Sequence, residues 1–404
     1  MDVERMVDAM STWDSQLFEY EAPSTASKIV IDAAMRTAAL LANPSLPPLF
    51  TLRHLAHSAE VPYRFLRNVA SRTHGTYPYQ VFRLKKNNVG GEDRYRWIAA
   101  PHPLLLRTQR WINSQVLSKL QQHPASFAYR SGRCAYDAAK KHSNARWLVK
   151  ADVTNFFESI LEPDVYDVFR AAGYQPLMAF EMARLCTRLR GPNETQARDR
   201  LTRPGKSSNY SIKAYRNRFI GHLPQGAATS PVLANLIAQP LDKTLAAIAS
   251  RTGFRYTRYA DDIAFSSDSL SCTRRDAVMV AGAIHDALWK HGFAPNLAKS
   301  IIRGPGQRRL VLGLLVDGER PRLTAQFKDT LTLHVRHLRT NGPVAHAQKR
   351  GFHSVIGLKH HVEGLIAYAH EVDSAFASKC TQGLLGIAWP LLSAIDLDTA
   401  LGSL

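Results

Sequence analysis

The sequence predicts a globular fold that mixes helices with a few short strands. Its 404 residues allow about two to three domains at roughly 150 residues each. Two apolar runs, at 147–151 and 256–265, have the length and composition of strands, whereas 104–120 and 232–245 have helical spacing. Hydrophobic residues make up 45% and charged residues 21% of the chain, the usual balance of a folded, soluble protein.

The charge balance indicates a polyanionic partner. Fifty-two Lys and Arg against 33 Asp and Glu give a net charge of +19. The first 50 residues carry three bases and seven acids, a net of −4, which leaves +23 spread over the other 354. No apolar run reaches the ~18 residues that span a bilayer. We therefore expect a nucleic-acid partner and no membrane.

Cysteine usage and the first residues predict the compartment. The acidic start at 1–4 lacks the basic and apolar regions of a signal peptide, and the four cysteines are scattered without CxxC spacing. We expect a reduced, cytoplasmic protein without a disulfide framework or a cysteine-based zinc site.

The elements before the first strand follow in order. Residues 1–42 have helical spacing and end at the breaker cluster 43–48, which predicts a helical extension with its own boundary. Residues 52–72 read as two short helices. Strands at 79–84 and 95–98 form a predicted hairpin whose basic tip is Lys85 and Lys86.

The middle and the end of the chain carry basic surface. Residues 190–218 hold eight bases and two acids, either a purely solvated loop or one that also contacts phosphates. Beyond Pro321 the chain is mostly helical. His334 and His337, outside any zinc motif, are expected to be a surface or RNA-contacting pair.

Carboxylates at strand ends suggest metal-dependent chemistry. Asp152 closes the strand 147–151, and Tyr259-Ala260-Asp261-Asp262 lies in an apolar stretch that fits a tight hairpin projecting its acids. Templated nucleotide polymerisation requires carboxylates that converge from separate strands on two divalent ions. A Pro/Gly/Ser turn at 222–231 can present Gln225 and backbone amides to a nucleotide. Alone, each feature is also compatible with a solvated loop, core packing or an ordinary helix start.

Taken together and in this order, the segments resemble reverse transcriptases, and within them the bacterial retron-type group. The resemblance covers roughly three quarters of the chain, from about Leu52 to Ala367. The segments that carry it are 85–103, 109–112, 127–133, 152–160, 223–231, 259–262, 296–299 and 311–314.

The resemblance implies an α+β right-hand polymerase: fingers, a palm with an antiparallel sheet, and a helical thumb, with an N-terminal helical extension. The implied boundaries are 1–48 for the extension, 49–317 for fingers and palm, and 318–404 for the thumb.

The resemblance also implies a two-metal site that holds two Mg²⁺ ions. Asp152, Asp261 and Asp262 are the implied catalytic residues, and the same three with Val153 are the implied metal ligands. The implied substrate-binding residues are Lys85 (or Lys86, if the register differs by one), Arg96, Phe157, Gln225, Gly226 and Lys299. The aromatic ring at 157 matches the position that excludes a ribose 2′-hydroxyl.

The implied function is RNA-directed DNA polymerisation that copies a small structured RNA from dNTPs, in anti-phage defence and with an effector protein as a candidate partner. Two stretches depart from the retron pattern: 138–142 lacks its Asn, and 311–313 reads Val-Leu-Gly instead of Val-Thr-Gly. Both are tied in the family to recognition of the retron's own RNA. The alternatives are another defence reverse transcriptase with template-independent or protein-primed synthesis, and a non-catalytic RNA-binding scaffold.

Overall fold

A computed structural model of the chain describes residues 27–72, 78–85, 95–191 and 220–389. All statements on structure concern these residues. The helices are α1 (Lys28–Ala39), α2 (Leu52–Ser58), α3 (Tyr63–Ser71), α4 (Pro103–Gln115), α5 (Ala135–Lys140), α6 (Glu162–Ala171), α7 (Pro176–Cys186), α8 (Ser230–Ile237), α9 (Gln239–Thr252), α10 (Arg274–Lys290), α11 (Ala325–Arg350), α12 (Val355–Val372) and α13 (Ser374–Leu384). The strands are β1 (Tyr79–Lys85), β2 (Tyr95–Pro101), β3 (Trp147–Asp152), β4 (Arg255–Tyr259), β5 (Asp262–Ser267), β6 (Ile301–Arg303), β7 (Leu310–Val311), β8 (Leu314–Leu315) and β9 (Arg322–Leu323).

A four-stranded antiparallel sheet lies at the centre, in the order β4-β5-β3-β6. Its inner strands β3 and β5 are largely buried on both faces, because helices cover one side and the C-terminal part of the chain covers the other. Strand β3 runs antiparallel to β5, with Asp152 directly opposite Asp262. The two predicted acid-bearing segments are therefore neighbours in one sheet.

The larger hydrophobic core extends from Leu46 to Phe293 and includes the helical face of the central sheet. Helix α10 packs on β3, and α9 packs on β4. The extension joins this core through α1: Gln175 Nε2 donates to Thr37 Oγ1 at 2.5 Å. The amide of Ala42 also donates to the carbonyl of Ala172 at 3.0 Å.

A second core lies under the C-terminal helices α11, α12 and α13 and the small sheet β7-β8-β9. It includes Ala139, Leu148 and Ala264, so the C-terminal helices are packed onto the central sheet. Helix α11 is broken at Gly342, where φ is 77° and ψ is 165°, and Pro343 follows. Its two segments therefore fold back on each other.

The structure confirms most predicted elements and corrects others. The two short helices, the hairpin strands and the strand ending at Asp152 are present. The single helix expected at 232–245 is wrong: α8 and α9 meet at Ala238, since Pro240 lacks the amide that would continue the first helix. The helix at 104–120 ends at Gln115, and a short 3₁₀ turn follows. Of the basic loop 190–218, only the first two residues are described.

No helix within the described ranges has the length and apolarity needed to cross a membrane. All four cysteines are free thiols.

His142 packs against the β4-β5 hairpin and links its two strands. It is fully buried, and its Nδ1 and Nε2 each lie 2.7 Å from a hydroxyl, of Ser266 on β5 and Thr257 on β4. Burial lowers the pKa of the imidazole to about 3, and the charge of Arg255 acts in the same direction. His142 is therefore neutral in the folded protein.

We expect His142 to make stability depend on pH. Its pKa in the folded protein, about 3, lies below the unfolded value of 6.5, so the unfolded chain binds the proton first. The free energy of unfolding should therefore fall as the pH is lowered through 6.5, by about 2 kcal/mol between pH 7 and pH 5 from this group. His142→Gln, which cannot titrate, should lack that share of the pH dependence in urea unfolding. His370→Gln, at an exposed histidine, is the control. An unchanged pH dependence in His142→Gln would contradict the assignment.

Candidate active site

Asp152 and Asp262 are brought together by strand register. Asp152 ends β3, Asp262 begins β5, and the two are paired residues. The amide of Val153 donates to the carbonyl of Asp261 at 3.2 Å, which extends the pairing past the strand end. Asp152 and Asp262 therefore lie side by side at the ends of the two inner strands, next to Asp261.

Asp261 lies in the tight turn between β4 and β5, where Ala260 has a φ of +56°. Arg258 holds this turn from below, since its Nη1 donates to the carbonyl of Ala260 at 3.1 Å. Its Nε and Nη2 each donate to a carboxylate oxygen of Asp242 at 2.7 Å. Both side chains of this ion pair are 0% exposed. Asn235 and Ser126 accept from the same guanidinium.

The acidic cluster is electrostatically strained. Burial raises the pKa of Asp261, and the negative charges of Asp152 and Asp262 raise it further, while Lys299 lowers it. Lys150 on β3 lies 3.3 Å from Asp262. A divalent cation would relieve the repulsion more completely than these two lysines do.

Asp152 is held by two residues of the segment that precedes β6. Asn296 Nδ2 donates to Asp152 Oδ2 at 3.0 Å, and Lys299 Nζ donates to Oδ1 at 2.9 Å. The Asp152 side chain is 10% exposed and that of Lys299 is 57% exposed. Lys299 can therefore leave the carboxylate for solvent or for a ligand without breaking the core.

The donor set fits a metal that is partly held by its substrate. No group of three or more His, Cys, Asp or Glu in the described part of the chain is arranged to hold a metal ion unaided. Magnesium in polymerase sites takes one or two carboxylates and completes its octahedron with substrate phosphates and water. Asp261, whose pKa burial and the neighbouring carboxylates raise, suits that arrangement together with Asp152 beside it.

The turn that contains Gln225 lies against β2. The amide of Ala99 donates to the carbonyl of Gln225 at 2.8 Å. Gly226 has a φ of +120°, and a Cβ there would lie 2.7 Å from the carbonyl oxygen of Ala99, so only glycine fits. Gln225 Nε2 donates to Glu158 Oε1 at 2.7 Å, which leaves the side-chain carbonyl of Gln225 directed away from Glu158.

Phe157 is half-buried and packs against Phe156 and Tyr129, with ring centroids 5.7 and 6.2 Å away. Burial raises the pKa of the Tyr129 hydroxyl, Asp261 raises it further and Arg96 lowers it. Tyr129 therefore contacts the ring of Phe157 and lies close enough to Asp261 and Arg96 for their charges to affect its hydroxyl.

The two basic residues expected on the β1-β2 hairpin are described to different extents. Arg96 is exposed on β2, opposite Leu84. Lys85 ends β1, but its side chain and all of Lys86 lie outside the described residues.

Sequence reasoning missed three supporting side chains: Arg258, Glu158 and Tyr129. Arg258 directly precedes the Tyr259 tetrad, and a charged residue inside an apolar strand is a usable signal, because a buried charge requires a partner. Glu158 and Tyr129 gave no such signal, since their roles depend on contacts across 67 and 28 residues of sequence respectively.

Comparison with known proteins gives the same assignment as the site. The family "Reverse transcriptase (RNA-dependent DNA polymerase)" matches residues 84–305, more than half of the chain. The retron Ec86 reverse transcriptase of Escherichia coli is 26% identical over 298 residues, which cover 74% of this chain and 81% of that protein.

The retron Mx162 reverse transcriptase of Myxococcus xanthus is 30% identical over 326 residues, which cover 78% of this chain but only 61% of that longer protein. A telomerase from Candida albicans, solved with a fragment of telomeric RNA, has a TM-score of 0.40 at 10% identity. The match covers 76% of this chain and 56% of the telomerase chain.

The matched family segment contains the acidic cluster, the Gln225 turn and Lys299, and both relatives named above are retron enzymes. The chain is therefore a retron-type member of the reverse transcriptase family of RNA-directed DNA polymerases.

Proposed function

We propose that the protein copies a dedicated small structured RNA into DNA by two-metal nucleotidyl transfer, in anti-phage defence. The observation that carries the mechanism is the register of β3 against β5, which sets Asp152 opposite Asp262 beside the Asp261 turn. The structured RNA, its DNA product and dNTPs are the proposed partners, with an effector protein as a further candidate.

The proposed architecture is a right hand. The β1-β2 hairpin belongs to the fingers and the four-stranded sheet to the palm, together at 49–317. The helices α11, α12 and α13 form the thumb at 318–404, and 1–48 is the extension. The two hydrophobic cores support this division, since the buried hydrophobic residues of α11, α12 and α13 all belong to the second core and none to the first.

Asp152, Asp261 and the backbone of Val153 would hold two Mg²⁺ ions, with Asp262 beside them. Bound there, the ions would activate the primer 3′-hydroxyl and neutralise the triphosphate. The chain's own residues orient the reactants: Asn296 fixes the carboxylate plane of Asp152. Lys299 can turn from Asp152 toward the phosphates and neutralise the leaving pyrophosphate.

Substrate selection is assigned to five positions: Lys85, Arg96, Phe157, Gln225 and Gly226. Glu158 fixes the amide of Gln225, so that its carbonyl oxygen and the backbone at Gly226 can support the nucleotide and template base. Arg96 offers a planar fork to the triphosphate, and Lys85 a point charge. The ring of Phe157 would exclude a ribose 2′-hydroxyl.

Asp152→Asn and Asp261→Asn should each reduce nucleotide incorporation at least about a hundredfold while RNA binding is retained. Each change removes a negative charge required at the metal site, so the loss should appear in kcat. Primer extension and RNA binding are measured on the same preparations. Asp286→Asn removes an exposed carboxylate elsewhere and is the control. Substantial extension by Asp261→Asn would refute the assignment.

Phe157→Ala should weaken discrimination against ribonucleotides at least about tenfold, because the gate acts by steric exclusion. The measurement is the ratio of kcat/KM for dNTP and rNTP. Phe157→Tyr keeps the bulk of the ring and should retain selection. An unchanged ratio in Phe157→Ala would mean that the ring only packs against Phe156 and Tyr129.

The nucleic acid that copurifies from cells should be one abundant small RNA joined to its complementary DNA. Retron enzymes start from a 2′-hydroxyl of their own RNA, so the RNA–DNA branch should survive ribonuclease, and debranching enzyme should cleave it and release the DNA. Sequencing after each treatment tests this. Asp261→Asn purified in parallel should carry the RNA without the DNA. Unlinked or repetitive DNA would favour another defence reverse transcriptase.

A further inference from the structure

A cluster of histidines lies between the C-terminal helices, far along the chain from the acidic site. The break at Gly342 and Pro343 folds α11 back, so that His334 Nδ1 and His346 Nε2 lie 2.9 Å apart although 12 residues separate them. In a continuous helix they would be about 18 Å apart. The expected surface location of His334 is wrong, since His334 and His346 are each 2% exposed.

The two buried imidazoles each have a nitrogen without a partner. His334 Nε2 and His346 Nδ1 are buried and accept or donate no hydrogen bond to described residues. A buried, unpaired polar atom is costly and calls for a ligand. His361 of α12 and His337 lie against the pair, with ring centroids 5.4 Å from His334 and from His346 respectively.

His334, His337 and His346 line a cavity of about 230 Å³. The other lining residues are Leu333, Lys349 and Arg350. The cavity is smaller than the roughly 300–1,000 Å³ of pockets for drug-sized ligands, so it suits one compact group. Its lining contains cations and imidazoles and no carboxylate. That composition favours an anion over a metal ion, in agreement with the absence of a metal-binding cluster in the described ranges.

We propose that this cavity is a phosphate-binding site, in which the His334–His346 pair takes up one proton from water when the anion binds. A neutral imidazole has one donor and one acceptor nitrogen. Whichever way the shared proton points, the neutral pair therefore offers one donor and one acceptor outward. One added proton makes both outward nitrogens donors, which match the acceptor oxygens of a phosphate.

Without a bound anion, burial and the surrounding positive charges keep the His334–His346 pair neutral. Burial has the largest effect in lowering the pKa of His334 to about 4, and the charges of His346, Arg350, His361 and His337 contribute to the same shift. Burial also lowers the pKa of His346, with His337, Arg350 and Lys349 acting in the same direction. The negative charge of a phosphate would raise the pKa of the pair. Because binding then takes up one proton, the affinity for phosphate should increase about tenfold for each pH unit by which the pH falls.

The phosphate can come from free inorganic phosphate or from a nucleic-acid backbone, and the test separates them. Full-length protein labelled with ¹⁵N-histidine is titrated at pH 7 and constant ionic strength with sodium phosphate, and separately with a short single-stranded RNA. We expect the ring nitrogens of His334 and His346 to shift to their protonated positions at saturation. Saturation by phosphate alone identifies the free ion as the source. Saturation by RNA at lower concentration, with competition by phosphate, identifies the backbone.

Arg350→Gln should weaken this binding at least about tenfold, because it removes a cation from the cavity lining. Arg339→Gln removes the same charge from an exposed position of the same helix and should change the affinity less than about twofold. His346→Gln assigns the signals, and if it does not fold, the two arginine variants decide. Three results would overturn the proposal: neither probe moves the histidine signals, both arginine variants weaken binding equally, or Zn²⁺ moves the signals while phosphate does not.

Discussion

The buried ion pair of Arg258 and Asp242 is the interaction on which the acidic site depends. Arg258 contacts a helix, a loop and the hairpin turn at once, through Asp242, Ser126 and the carbonyl of Ala260. Removing either charge would leave the other unpaired in the core, which typically costs 3–5 kcal/mol. The backbone of the turn is also strained, because Ala260 has a left-handed conformation that a residue with a Cβ rarely adopts. Five hydrogen bonds of one guanidinium thus determine where Asp261 stands.

The back of the same hairpin is held by a neutral contact. His142 bridges Thr257 and Ser266, so α5 supports β4 and β5 on the face away from Asp242. This histidine belongs to the stretch that departs from the retron pattern at its missing Asn. Because its side chain is fully buried, it supports the sheet and does not contact RNA directly.

Much of the site could be predicted from the sequence because its main signals are local. A carboxylate at the end of an apolar strand and a tetrad in a predicted hairpin correctly placed Asp152 at a strand end and Asp261 at a turn, whereas their proposed catalytic roles came from the resemblance to reverse transcriptases. The break between α8 and α9 was missed although Pro240 marks it, because the apolar periodicity continues across it. The fold-back of α11 and the burial of His334 were missed for a different reason, since only the path of the chain beyond Gly342 brings His346 to it. Contacts between distant segments, such as Glu158 with Gln225, leave no trace in local pattern.

The close approach of Gly226 to Ala99 has a mechanical consequence. The strand that carries Arg96 and the turn that carries Gln225 share a backbone hydrogen bond and have no space between them for a side chain. A displacement of the β1-β2 hairpin should therefore displace the backbone of the turn as well. The hairpin and the turn therefore form one structural unit. A chimaera that takes the hairpin from a relative must take the turn from the same relative, so that this backbone contact is kept.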